Sequence, residues 1–241
     1  MITLAIDTAT ARCTVAVTDG VATQEAHVDG PRRHTREALG LVDGLLREIG
    51  ADPGDIVAVL SGDGPGSFTG LRVATSIAKA LTWGRPAVTW HVSPSLLIQG
   101  MPHITAQGGG RLLAVTDALR GDLYAGCWDV VSDRIAPVNG FPRSMAPADL
   151  AAFGSPVVVV GDISEQLAEA VRAATGLTPI TGAAALPDAR ALLTLARVSG
   201  GTAAVTDPGR WSPTYGRPVE AQAVWERKHG RILPDQTYRP G

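Results

Sequence analysis

Gly62-Asp-Gly-Pro-Gly-Ser-Phe-Thr-Gly-Leu-Arg72-Val-Ala-Thr-Ser-Ile-Ala-Lys79 is the stretch whose reading decides the fold of this chain. Four of its first nine residues are glycine and one is proline. That density excludes a helix or strand interior, because glycine loses the most backbone freedom on ordering and proline removes a donor. The apolar run Ile56 to Leu60 precedes it, and a segment rich in Ala, Leu, Val and Ile follows, so the order is buried strand, glycine loop, helix. Two readings fit such a loop. Its amides and the helix N-terminus can cradle an anion, or its glycines can let the strand turn sharply and the helix approach the sheet closely. The familiar nucleotide patterns are not met. A P-loop needs Gly-Lys-Ser/Thr, and Lys79 lies deep in the helix. Gly62, Gly64 and Gly66 lack the dinucleotide spacing, and Gly-Ser67-Phe is not a nucleophile elbow.

With 241 residues, 45% hydrophobic and 18% charged, the chain has the composition of a globular α/β protein. A net charge of -2 supplies no general field for nucleic acid, so contact with RNA is expected to be local or lent by a partner. Cys13 and Cys127 are too few and too distant for a disulfide framework or a CxxC site. The N-terminus lacks a basic region before its apolar residues, and no apolar run approaches the ~20 residues of a membrane helix. A cytoplasmic protein with no membrane partner is expected.

Upstream of the loop, Ile2 to Ile6, Cys13 to Val17 and Val21 to Val28 read as three antiparallel strands, with Asp19-Gly20 as a hairpin turn. Arg33 to Ile49 reads as an amphipathic helix with Ala38, Leu41, Val42, Leu45 and Ile49 on one face. Leu39 and Leu46 lie beside that stripe and widen it beyond what one sheet covers, as a wide core face or an interface would. The helix after the glycine loop is apolar on two sides and leaves Arg72, Thr75, Ser76 and Lys79 polar. Ala87 to Trp90 is a further strand and Leu96 to Ile98 a short helix. Gly100-Met-Pro102 and Gly108 to Gly110 bracket a domain boundary, with lobes over 1–104 and 105–241.

The second half repeats the first. Leu112 to Asp117 and Leu123 to Val130 overlie Leu4 to Asp19 at a shift of 110, with Asp129 on Asp19, and Val157 to Asp162 overlies Ile56 to Asp63 at a shift of 99. The helices of the second copy, Pro147 to Phe153 and Ser164 to Ala174, are weaker; Asp188 to Val198 is a last helix and the polar end reads as loose. Three strands, helix, strand, helix, taken twice, is the layout of the two-lobe actin-like (ribonuclease H-like) α/β fold, with mixed sheets and here a reduced second lobe. ATPases of that class place a glycine-bearing phosphate loop between the first two strands of each half. The equivalents here, Asp7-Thr-Ala-Thr10 and Asp117-Ala-Leu-Arg120, contain no glycine. Asp7 could hold Mg²⁺ through water or simply initiate a turn. His27, His34, His91, His103 and His229 are scattered, and Ser67 with His34 makes at most a conjectural hydrolase. The basic groups Arg32, Arg33, Arg36 and Arg227, Lys228, His229, Arg231 fit solvated faces better than an RNA site.

Leu4-Ala-Ile-Asp-Thr-Ala-Thr10, Arg33-His-Thr35, Gly64-Pro-Gly-Ser-Phe-Thr-Gly-Leu-Arg72, Ala78-Lys-Ala-Leu81, Asp117 to Ala125 and Pro213-Thr-Tyr-Gly-Arg217 together resemble the TsaB family of bacterial tRNA threonylcarbamoyladenosine biosynthesis proteins. The resemblance runs in order over nearly the whole chain. It implies a non-catalytic subunit without cofactor or metal of its own, beside a TsaD-like partner that holds ATP and metal. With a TsaE-like ATPase, that pair transfers a threonylcarbamoyl group to N6 of adenosine 37 in tRNAs reading ANN codons, and tRNA is met only through the complex. It further implies a four-helix contact, with the partner or with a second copy, through the two first-lobe helices. On this chain that contact would draw on His34, Thr35, Ala38, Leu39, Leu46, Arg72, Thr75, Ser76 and Lys79. Arg36 and Gly40 depart from the family pattern, which has Glu and Pro there. An ATP-dependent actin-fold enzyme acting through Asp7 and the glycine loop is the alternative.

Overall fold

In the computed structural model, which describes residues 1–30, 34–119, 121–140, 142–215 and 228–229, the chain forms two mixed sheets. The first begins with the meander β1 (Ile2–Asp7), β2 (Arg12–Thr18) and β3 (Thr23–Asp29). Its β2–β3 turn is fixed by Asp19, whose Oδ1 accepts the amides of Val21 at 2.8 Å and Ala22 at 2.7 Å. These bonds hold the carboxyl below its ordinary range. After α1 (His34–Glu48), β4 (Ile56–Gly62) pairs parallel to β1. Helix α2 (Phe68–Thr82) then returns the chain to β5 (Thr89–Ser93), parallel to β4. The second sheet holds β6 (Gly110–Leu119), β7 (Asp122–Val131), β8 (Arg134–Pro137), β9 (Arg143–Met145) and β10 (Val158–Asp162), with β10 parallel to β6 as β4 is to β1.

Strand alternation sorts the side chains into three cores. Leu4, Ile6, Cys13, Val15 and Val17 face α1 and α2. Ala5 and Ala16, on the other face, meet helix α3 (Ser95–Ala106), helix α5 (Arg190–Leu195) and the inner residues Leu112 and Ala114 of β6. The outer face of the second sheet, with Leu113, Val115 and Cys127, is covered by a 3₁₀ segment (Pro147–Phe153) and α4 (Glu165–Thr175). Small residues on the inner face of the first sheet leave room for α3, so the two lobes share one core. Both cysteine thiols are buried, which pushes each up to about 12 and leaves them inert. No helix among the described residues is long and apolar enough to cross a membrane.

Four sequence expectations change. The helix expected over Leu96 to Ile98 continues through Gly100-Met-Pro102 to Ala106. A Cβ at Gly100 would overlap the Leu112 side chain, so this glycine serves close packing and marks no boundary. Proline inside the helix costs ~3 kcal/mol. Burial of Leu96, Leu97, Ile98, Met101 and Ile104, at roughly 1.5–3 kcal/mol each, outweighs it. The Asp19–Asp129 match is not an equivalence: Asp129 lies within β7 and is gripped by Arg111 through two bonds of 2.8 and 3.0 Å. The chain also crosses back. β11 (Ala203–Ala204) pairs antiparallel with β5, and Trp211 meets Trp90 at 4.6 Å, so residues 203–215 pack on the first sheet. The final helix spans only Arg190–Leu195. Arg32, Arg33, Arg120 and the tail beyond Tyr215, except Lys228 and His229, lie outside the described residues.

Two helical glycines should respond to alanine with opposite signs. Gly100→Ala, which overfills the contact with β6, should lower the urea midpoint by an amount corresponding to about 1–3 kcal/mol. Gly40→Ala in α1, where a Cβ meets nothing within 4 Å, should raise it by roughly 0.5–1 kcal/mol.

Candidate functional site

The glycine loop is pressed against the β1–β2 turn. Asp7 is fully buried; its Oδ1 accepts the amide of Ala9 at 2.9 Å and its Oδ2 accepts the hydroxyl of Ser95 at 2.7 Å. A Cβ at Gly62 would overlap both Asp7 Oδ2 and Ser95 Oγ. Farther along, a Cβ at Gly66 would overlap the carbonyl oxygen of Ala9, and one at Gly70 that of Thr8. The contacts are bonded as well as close: Ser67 donates its amide to Ala9 O at 2.7 Å, and Thr8 Oγ1 donates to Gly70 O at 2.6 Å. Ser67 Oγ accepts the amide of Gly70 at 3.2 Å, which makes Ser67 the N-cap of α2.

Four of the loop's amides are not open to a phosphate. The amides of Asp63, Gly64, Ser67 and Gly70 are taken by Ser93 O, Ser95 Oγ, Ala9 O and Ser67 Oγ. What the turn offers the loop is carbonyl oxygen, which repels an anion. In the second lobe β6 and β7 stay paired to Leu119 and Asp122, so only a tight turn stands where a second phosphate loop would be. Among the described residues no three of His, Cys, Asp and Glu converge on a common point.

Asp63 lies beside this turn, where burial first and the charge of Asp7 second push its carboxyl up to about 7. In the second lobe, burial and then Asp117 raise Asp162 in the same direction. The two Gly-Asp pairs thus occupy equivalent strand ends.

On the outer side of the first lobe, α1 and α2 frame an open groove of about 420 Å³, lined by Leu39 of α1 and Phe68, Arg72, Val73, Ser76 and Ile77 of α2. Leu39 is 64% exposed. Arg72 and Ser76 are exposed, and Ala38, 1% exposed, forms part of the floor. Lys79 reaches Gly209 O at 3.5 Å. Thr75 is buried, with an Oγ1 that finds no partner among the described residues. Leu46 differs from the sequence reading. It is 1% exposed and packs into the core with Val42 and Leu45. His34 and Thr35 open α1, but their side chains lie outside the described part. Val73 and Ile77 belong to the second apolar side expected of this helix; Phe68 gives no such signal in the sequence, although Phe68-Arg72-Ser76 at i, i+4 spacing marks the adjacent ridge. Trp83, 79% exposed, stands at the far end of α2.

Residues 207–215 run along α2 as a strap. Gly209 takes Lys79, Thr214 donates its amide to Asp63 O at 2.7 Å, and the Tyr215 ring lies 4.6 Å from Phe68. Gly64 holds φ +99°, and a Cβ there would overlap Thr214 O, so the strap seats on a site that only glycine forms. The Arg72 guanidinium lies 5.3 Å over the Phe68 ring.

Fold and site together define a two-lobe, actin-like protein with a closed glycine loop and an open helical face. The family model described as "TsaD: tRNA N6-adenosine threonylcarbamoyltransferase" matches residues 15–138. The "tRNA threonylcarbamoyladenosine biosynthesis protein TsaB" of Escherichia coli (strain K12) is 41% identical over 123 residues, 50% of this chain and 52% of that protein. An uncharacterized protein of Mycobacterium tuberculosis (strain ATCC 25618 / H37Rv) is 32% identical over 163 residues, 64% of this chain and 72% of its own length. The solved structure of YeaZ from Pseudomonas aeruginosa superposes with a TM-score of 0.69 at 27% identity, covering 81% of this chain and 90% of that one. The chain spans about half the length of the curated TsaB relatives it matches. It belongs to the TsaB family.

Asp63 gives a pH signature. An acid held protonated by the fold costs stability as pH rises: the penalty is absent below the unfolded value of 3.8 and complete above about 7. Asp63→Asn should therefore be more stable than wild type at pH 8, by on the order of 1–2 kcal/mol because the residue is only half-buried, with the gain vanishing toward pH 4. Urea unfolding at several pH values measures it.

Proposed function

We propose that this chain acts in the biosynthesis of N6-threonylcarbamoyladenosine at position 37 of ANN-decoding tRNAs, in the cytoplasm, as a non-catalytic subunit that binds and activates a TsaD-type partner. The observation that carries this reading is the contrast between the two faces of α2. Its N-terminal loop is filled by the protein's own backbone, while its outer side, with α1, leaves an apolar groove with Leu39 exposed. ATP and metal belong, on this reading, to the partner; a TsaE-like ATPase completes the system, tRNA is met through the complex, and a second copy of the chain can use the same helices in the partner's absence.

Co-expression with the TsaD-type subunit of the same genome, followed by size exclusion, tests the central claim. Leu39→Arg should abolish co-elution while leaving the thermal midpoint within about 2 °C, since the residue is exposed. Leu46→Arg should instead unfold the protein, because it buries an unpaired charge in the core. Co-elution that survives Leu39→Arg would place the partner elsewhere.

The isolated chain should give no saturable heat with Mg-ATP in isothermal titration. Tight binding, or ATP turnover at an ordinary enzyme rate, would favour the independent enzyme instead. Ser67→Ala should cost about 1 kcal/mol as the loss of a helix cap and leave partner binding intact.

A further inference from the structure

Residues 203–215, β11 and the strap, lie on the first lobe with little of their own surface put away. Pro213 alone among them is buried, and Val205 and Trp211 are partly covered. Few directional bonds hold them. Val205 donates its amide to Trp90 O at 2.8 Å, Lys79 reaches Gly209 O at 3.5 Å, and Thr214 donates its amide to Asp63 O at 2.7 Å. The chain just before them is pinned: a Cβ at Gly200 would overlap Ile135 O, and one at Gly201 would overlap Leu195 O. The segment thus has a fixed near end, at Thr202, and beyond it a seat that it can leave.

Two polar groups lie less favourably with the strap on than they would in water. Leu71 stands beside the Gly64–Thr214 seat and Lys79 holds Gly209, so the ridge Leu71-Thr75-Lys79, at i, i+4 spacing, follows the strap. Thr75 on that ridge is 8% exposed and its Oγ1 has no hydrogen-bond partner. Such a hydroxyl regains water when its cover lifts. Asp63 is the second group. Its backbone carries the Thr214 bond, while burial of its carboxyl and then the charge of Asp7 push that carboxyl up to about 7. Among the described residues Asp7 is the charged group that acts on it; β5, α3 and the strap meet this stretch through Ser93, Ser95 and Thr214, which carry no charge.

We infer that residues 203–215 open and close on the folded lobes as one unit, a latch hinged at Thr202, and that a neutral Asp63 favours the closed position. Linkage fixes the sign. Opening returns Asp63 to water, so its carboxyl moves back toward the ordinary 3.8 and releases its proton. Opening is therefore favoured progressively as pH rises from about 4 to about 7 and levels off above that. An open latch bares the β5 edge at His91 and Val92 and withdraws the Tyr215 ring from Phe68. It operates in the chain by itself, whether or not the partner role proposed above holds.

Hydrogen exchange of the full chain, read residue by residue and corrected for the intrinsic rate at each pH, tests the latch. The Thr214 and Val205 amides should be at least about a hundredfold less protected than amides of β1, which is paired on both sides, and low urea should leave their protection unchanged, as for an opening that exposes little surface. Between about pH 5 and about pH 7 their protection should fall by roughly tenfold to a hundredfold. Asp63→Asn should abolish that fall. Thr75→Val, which removes the stranded hydroxyl and keeps the shape, should raise their protection by about tenfold at every pH.

Wild-type Thr214 and Val205 amides as protected as those of β1 would overturn the latch, since the strap would then leave only with the whole fold. An independent opening whose pH response is unchanged in Asp63→Asn would overturn the part assigned to Asp63.

Discussion

The buried carboxylate of Asp7 is the constraint on which the first lobe depends. It sits at the end of β1 with no exposure, and it is tolerable there because Ser95 and the Ala9 amide satisfy it. The Ser95 bond ties the β1–β2 turn to the N-terminus of the central helix α3, and the strand end at Gly62 packs against both. Gly62 must lack a side chain for the three to meet. Once they have met, Gly66 and Gly70 can close on the carbonyls of Ala9 and Thr8, and α2 takes the angle at which its outer face stands free. The turn and the loop are held together by the bonds from Ser67 N to Ala9 O and from Thr8 Oγ1 to Gly70 O, where a nucleotide-binding protein would leave an opening for phosphate. The raised carboxyl of Asp63 follows from this closure, through its burial first and the charge of Asp7 second.

Much of this could be read from residue order alone. Apolar runs and period-two alternation marked β1 to β7 and β10 but not the short β8, β9 and β11, and the shifts of 110 and 99 located the duplicated unit, because repeated topology keeps its apolar runs and its Gly-Asp strand ends even when helices decay. The glycine loop was legible as a shaped turn, and residues 7–10 and 117–120 lack the glycines of a phosphate loop. Local signals misled where tertiary burial outweighed them. Gly100-Met-Pro102 carries every mark of a break, yet it lies inside α3, because a helix surrounded by core gains more from its apolar side chains than it loses at one proline. Leu46 was misplaced for a related reason. Helical periodicity gives the angle of a residue about its own axis, but how far a twisted sheet wraps that axis is a property of the sheet.

The strap could not be foreseen. Nothing in Asp207 to Tyr215 signals that it leaves the second lobe, and its partners, Trp90, Asp63, Lys79 and Phe68, are more than a hundred residues away. The aromatic pairs are its only compositional trace. What they accomplish is to join the shared inter-lobe core to the helical face from outside, so that the lobes are tied along two routes.

The order of synthesis gives that strap a further consequence. Residue 203 follows the end of α2 at residue 82 by 121 positions, which at the 5–20 residues per second of translation is about 6–24 s. Throughout that interval β5 is an unpaired sheet edge and the groove lies open beside it, the two features that most invite wrong association in an emerging chain. β11 covers the edge and Tyr215 joins the groove only after those residues have followed. The α1–α2 face is thus finished long after its own helices are made, and a chain cut before residue 203 would carry those helices without the strap.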